Sequence, residues 1–113
     1  MTTQSNYVPD RGDIVWMILD PRVGHEQSGR RPVIVLSRKK MAEHTRLAVI
    51  MPITSKIIGL PYEIVLMDTK TTGAILPFQI KSVDYVMRKA VFIEKVPERI
   101  LAKAIKAIQN MVE

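Results

Sequence analysis

Hydrophobic residues fall along this chain in short, branched runs broken by polar turn residues, and only at the C-terminus does the spacing become helical. The first run, DIVWMIL from Asp13 to Leu19, is closed by Asp20-Pro21. Its near-continuous apolar character predicts a strand buried on both faces. A polar, glycine-punctuated loop follows, then VIVLS from Val33 to Ser37, a basic link, and RLAVIM from Arg46 to Met51, which predict two more strands. YEIVL (Tyr62 to Leu66), the region GAILPFQIKSVDYV (Gly73 to Val86) and KAVFIEK (Lys89 to Lys95) supply the rest, with Pro77 marking an edge, a bulge or an interruption.

The tail changes period. In PERILAKAIKAIQNMVE the apolar Ile100, Leu101, Ala104, Ile105, Ile108, Met111 and Val112 recur every three or four residues, forming one stripe of an amphipathic helix that faces either the core or a dimer partner. Pro97 suits the first helical position, and Glu98 is favourable near the positive end of the dipole. Many short strands followed by one helix predict a mainly β fold with a C-terminal α-helix, built as a small barrel or sandwich. At 113 residues the chain is read as a single domain spanning 1–113.

The pattern also brings particular residues together. About eight residues join the strands Val33 to Ser37 and Arg46 to Met51, which permits an antiparallel hairpin and is too short for a parallel crossover. Arg31, at the start of the first, then lies opposite or diagonal to Ile53 or Thr54 at the end of the second. Pro32 fixes the extended approach of Arg31, and Pro52 is expected to end the later strand, leaving the Thr54 and Ser55 hydroxyls at an irregular rim. An arginine fork beside hydroxyl donors matches the non-bridging oxygens of a phosphodiester.

Charge strengthens that match. The chain carries a net charge of +6, with Arg22, Arg30, Arg31, Arg38, Lys39, Lys40, Arg46 and Lys56 set against only Glu26 and Glu43 between positions 22 and 56. Basic surface around an arginine–hydroxyl pair favours a polyanion, although a solvated basic face serving solubility would look similar by charge alone. The 47% hydrophobic content excludes a disordered chain, and no run reaches the length of a membrane span. The absence of cysteine excludes disulfides, thiolate metal sites and cysteine nucleophiles, and with an N-terminus lacking signal character it predicts a cytoplasmic protein.

The densest polar stretch is GHEQSGRRP, Gly24 to Pro32. His25 has the ordinary pKa for acid or base work, and Glu26 can accept a proton or orient Arg31. A lone histidine in a polar loop is more often an ordinary turn residue. With no second ligand pair at recognisable spacing, no metal site or cofactor is expected. The tripeptide Arg11-Gly12-Asp13 precedes a strand and is read as chance. The seven methionines are read as core filler.

GDIVW (Gly12 to Trp16), DPRVGHEQSGRRPVIVLS (Asp20 to Ser37), PITSK (Pro52 to Lys56) and GLPYEIVL (Gly59 to Leu66) together resemble the MazF/PemK toxins, with weaker matches at QIKSVD (Gln79 to Asp84) and VPERI. The resemblance implies an SH3-like barrel of the CcdB/MazF type with a C-terminal helix. It implies a homodimeric, metal-independent endoribonuclease of a toxin–antitoxin pair that cuts single-stranded RNA, such as mRNA, at a short sequence, with an acidic antitoxin tail occupying the RNA groove. By motif position Arg31 and Thr54 match the family's active-site arginine and threonine, and the implied reaction is attack of the 2′-hydroxyl to give a 2′,3′-cyclic phosphate and a 5′-hydroxyl. Arginine is a poor proton acceptor, so Arg31 is assigned to charge stabilisation, and proton transfer falls to His25 or Glu26. Gln27, Arg30, Ser55, Lys56 and Gln79 are assigned to RNA binding. At Phe78 the chain departs from the family pattern, in which many relatives carry an acid, so a His25-centred scheme lacks its partner; Phe78 is either core or a base-stacking platform. Two other readings remain open: a non-catalytic CcdB-like toxin, and a basic small-barrel module binding nucleic acid or peptide. Neither needs both Arg31 and Thr54.

Overall fold

A computed structural model describes residues 6–19, 29–57 and 59–113. Seven strands and two helices follow in the order β1 (Asp13–Ile18), β2 (Arg30–Val35), α1 (Lys39–Thr45), β3 (Leu47–Thr54), β4 (Ile64–Val65), β5 (Ala74–Ile75), β6 (Lys81–Asp84), β7 (Val91–Lys95) and α2 (Glu98–Val112), with a 3-10 turn at Pro77–Gln79. The strands form one sheet in the order β4-β5-β3-β2-β1-β7, with β6 also paired to β3, and every pairing is antiparallel. This is the expected mainly β barrel type, a sheet curled into a half-barrel with a C-terminal helix.

Strand alternation divides the core in two, because successive side chains point to opposite faces. On β2, Ile34, and Leu36 just after it, join Ile14, Met51, Ile53, Ile75, Ile100 and Ala104 beneath α2, while Val33 and Val35 join Val15, Met17, Ala48, Ile50 and Val83 on the other face. The continuous apolar run of β1 is thus explained by burial on both sides. Along α2 only Ile100 and Ala104 are fully buried, with Leu101, Ile105 and Ile108 packed against the core. Met111 and Val112, the last members of the stripe, stay exposed. Pro97 is the N-cap rather than the first helical residue, and its carbonyl accepts from Ile100 and Leu101.

Three expectations about the elements change. β2 begins at Arg30 rather than Val33, because β1 pairs with it back to Ile18↔Arg30. The basic link contains a helix, α1, whose first amide, Lys39 N, is capped 29 residues away in sequence by Asp10 Oδ1 at 2.8 Å; a cap supplied from so far cannot be read locally. β3 does not end at Pro52 but runs through it to Thr54. On one side β3 pairs with β6 over Leu47 to Ile50 and then with β5 from Ile53, so Pro52 lies where its partner changes. The Pro52 carbonyl accepts from Leu76 N at 2.9 Å on that same side, so the missing N–H faces the gap between two partners and no ladder bond is lost.

Methionine is only partly core: Met17 and Met51 are buried, whereas Met67, Met87 and Met111 are exposed. The Arg11-Gly12-Asp13 tripeptide is closed to a receptor, since Asp13 is buried. Its Oδ1 lies 2.6 Å from Lys95 Nζ, and its other oxygen accepts from the Tyr7 hydroxyl. Burial, and then the hydrogen bond to Asp13, push the Tyr7 phenol above its ordinary value. This cluster staples the N-terminal segment to β1 and β7. Among the described residues no helix is long and apolar enough to cross a membrane.

Candidate active site

The register of the central hairpin decides what Arg31 faces. Val33↔Pro52, Ile34↔Met51 and Val35↔Ile50 are paired, and carrying that register two residues further sets Arg31 opposite Thr54. Both side chains line an open groove of about 860 Å³ at this end of the sheet. Ser55 and Lys56, just beyond β3, and Gln79, at the end of the 3-10 turn, line it too. His25, Glu26 and Gln27 lie outside the described residues.

The hydroxyl of Thr54 is oriented by its own backbone. Thr54 Oγ1 accepts from Lys56 N at 3.1 Å, a short turn that uses one lone pair of the oxygen and leaves its proton to be donated into the groove. Arg30 is held differently. Its guanidinium carbon sits 4.5 Å from the centroid of the Trp16 ring, a cation–π contact across neighbouring strands; strand alternation sets Arg30 on the opposite face of the sheet from Arg31, and both residues line the groove at the end of the strands. The ends of β1 and β2 are tied together at the base of the groove: Leu19 N donates to Gly29 O at 3.2 Å, and Arg88 Nη1 donates to Ile18 O at 3.2 Å and Leu19 O at 2.7 Å.

Among the described residues the groove carries charge of one sign. Arg30, Arg31, Lys56, Lys70 and Lys81 line it, and none of the described lining residues is acidic. Trp16, Lys70, Thr71, Thr72 and Lys81 were not anticipated. Trp16 had a signal, an aromatic ending the GDIVW stretch. The Lys70–Thr72 turn had none, because it reaches the groove only through the folding of β4 and β5 against β3. Phe78 is not core: it is 46% exposed and lines a separate surface pocket with Tyr62, Met111 and Lys106 against α2. The 3-10 turn directs Gln79 towards the groove and Phe78 elsewhere. A base-stacking part for Phe78 in this groove is therefore set aside.

An arginine fork, a correctly oriented hydroxyl donor and a cationic wall can bind a phosphodiester and stabilise extra negative charge on it. Comparison with known proteins points the same way. Residues 10–112 match the family described as PemK-like, MazF-like toxin of type II toxin-antitoxin system. The chain is 40% identical over 86 residues, 76% of its length and 78% of the relative's, to the endoribonuclease toxin MazF of Escherichia coli strain K12. A crystal structure of MazF from Deinococcus radiodurans superposes with a TM-score of 0.85 at 34% identity, covering 95% of this chain and 98% of that one. A crystal structure of MazE-MazF from the same organism gives 0.84 at 30% identity, covering 95% and 97%.

Proposed function

From the premise that this chain belongs to the family of PemK-like, MazF-like toxins of type II toxin–antitoxin systems, we propose that it is an endoribonuclease toxin whose site is the basic groove of Arg31 and Thr54. The observation that supports the reading is that Arg31 and Thr54, which stand opposite when the hairpin register is carried two residues on, both line one groove with Arg30, Lys56, Lys70 and Lys81. The substrate is single-stranded RNA. Its 2′-oxygen attacks the adjacent phosphorus while the bond to the 5′-oxygen breaks, leaving a 2′,3′-cyclic phosphate and a 5′-hydroxyl. Arg31 pairs with the non-bridging oxygens as their charge grows, and Thr54 donates to the same oxygens. Arg30, Ser55, Lys56 and Gln79 hold the strand. A base must take the 2′-proton and an acid must give a proton to the leaving 5′-oxygen; His25 or Glu26 fills these parts, with Gln27 beside them on the RNA. No metal enters the scheme. The whole chain, 1–113, acts as one toxin domain, as a homodimer in the cytoplasm, restrained by an acidic antitoxin drawn to the same cationic groove.

The test is incubation of the purified protein with a long single-stranded RNA in excess EDTA, followed by mapping of the ends. Discrete cuts with cyclic phosphate ends are expected, falling on the order of 10²-fold or more in rate in Arg31→Ala. Intact RNA beside a folded protein would count against an endoribonuclease, and equal cutting by Arg31→Ala would remove the role given to that residue.

A further inference from the structure

Glu94 stands out among the carboxylates because all its visible bonding is spent on one distant turn. Its Oε1 accepts from Lys70 N at 3.0 Å, and its Oε2 accepts from Thr71 N at 2.7 Å and from Thr71 Oγ1 at 2.8 Å. Lys70 and Thr71 belong to the connection between β4 and β5, whereas Glu94 belongs to β7, at the opposite end of the sheet order. One side chain thus bridges the two ends of the curled sheet, across the mouth of the groove that Lys70, Thr71 and Ile93 line.

Two further features fix this arrangement. Ile14 pairs with Glu94 but Val15 pairs with Phe92, so Ile93 is an extra residue in β7. Such a bulge re-aims neighbouring side chains, and here Ile93 faces the groove while Glu94 reaches the turn. Behind the turn, Gly73 is pressed onto β3 so closely that a Cβ there would lie 2.1 Å from the Thr54 carbonyl oxygen. The turn is therefore held from one side by the strand that bears Thr54 and from the other by Glu94. An acidic side chain beside a polyanion's groove opposes binding by charge alone. Its placement makes sense if what it holds attracts the polyanion more than it repels it.

We propose that Lys70 binds an RNA phosphate flanking the one cleaved, and that Glu94 is the positioning residue that presents it. The inference rests on the ribonuclease reading of the groove. It is tested by binding of a single-stranded RNA that carries a mapped cut site, made uncleavable by a 2′-deoxy nucleotide at the attacking position, across a series of salt concentrations. Lys70→Ala, which keeps every backbone donor to Glu94, is expected to reduce the slope of log affinity against log salt by about 0.7, one phosphate contact on a single strand. Glu94→Ala is expected to weaken binding and lower the slope similarly, although it removes a negative charge, with Glu94→Gln in between. The double variant is expected to bind no worse than Lys70→Ala alone, because the two act through one contact. Each protein is compared at a temperature where its melting curve shows it folded. Unchanged slope in Lys70→Ala, or equal or tighter binding by Glu94→Ala, overturns the inference. Wild-type cleavage lost in Arg31→Ala sustains the ribonuclease reading in either case, and a wild type that neither cuts nor binds the strand removes both.

Discussion

Arg31 could be set opposite or diagonal to Ile53 or Thr54 before any coordinates because a short link between two strands permits only an antiparallel hairpin, and the register of that hairpin, carried two residues beyond Val33↔Pro52, selects Thr54. What could not be read is how each side chain is aimed. The Lys56 amide turns the Thr54 hydroxyl, and Trp16 holds Arg30, through contacts that no spacing rule contains. Thr54→Val keeps the shape but removes the donor, and it should lower kcat for RNA cleavage on the order of 10²-fold with a smaller change in KM, since the hydroxyl acts mainly on charge developing in the transition state. A fall in affinity at unchanged kcat would make Thr54 a binding residue instead.

At the level of elements, period and turn residues located the strands and α2, while boundaries moved wherever a partner strand or a distant cap intervened. β2 was lengthened by β1, α1 was capped by Asp10, and β3 was carried through Pro52 by a change of neighbour. The turn before β5 shows how tightly one such element is seated. Gly73 has a φ of 126° and no room for a Cβ against Thr54 O. Gly73→Ala should therefore cost about 2 kcal/mol or more in unfolding free energy, through strain at a φ that side chains disfavour together with a clash against backbone. Urea denaturation should show the loss as a lower midpoint at an unchanged m-value. A midpoint equal to wild type would mean that the turn can move away from β3, and that the groove wall is less fixed than described.

Across the whole molecule, acid sensitivity follows from carboxylates that bind backbone amides. Asp10 is held below its ordinary value of 3.8 chiefly by the bond from Lys39 N, and Asp84 chiefly by the bond from Met87 N. For Glu94 burial alone would raise the value above 4.5, but the bonds from Lys70 and Thr71 outweigh it and hold the carboxyl lower. A lowered folded value means that the stabilisation is complete above the ordinary value and is lost as pH falls through the folded one. Unfolding free energy should therefore drop as pH falls below about 4. The stability gap between wild type and Glu94→Gln should narrow over the same window, as measured by urea titrations at stepped pH. A gap that stayed constant into strong acid would show that the charge of Glu94 contributes nothing to the fold.

The sequence by itself determined the fold class, the single apolar stripe of α2, the cationic balance around the hairpin and the antiparallel connection that brings Arg31 near Ile53 and Thr54, because periodicity, charge and strand connection are local properties of the chain. Tertiary structure alone decided that Phe78 leaves the groove, that Lys70 and Thr71 enter it, and that one carboxylate on β7 bridges the two ends of the sheet. Those outcomes depend on how the sheet curls and where β7 gains a residue. The bonds from Lys70 and Thr71 to Glu94 leave no trace in the pattern of either segment, because no short link joins the two.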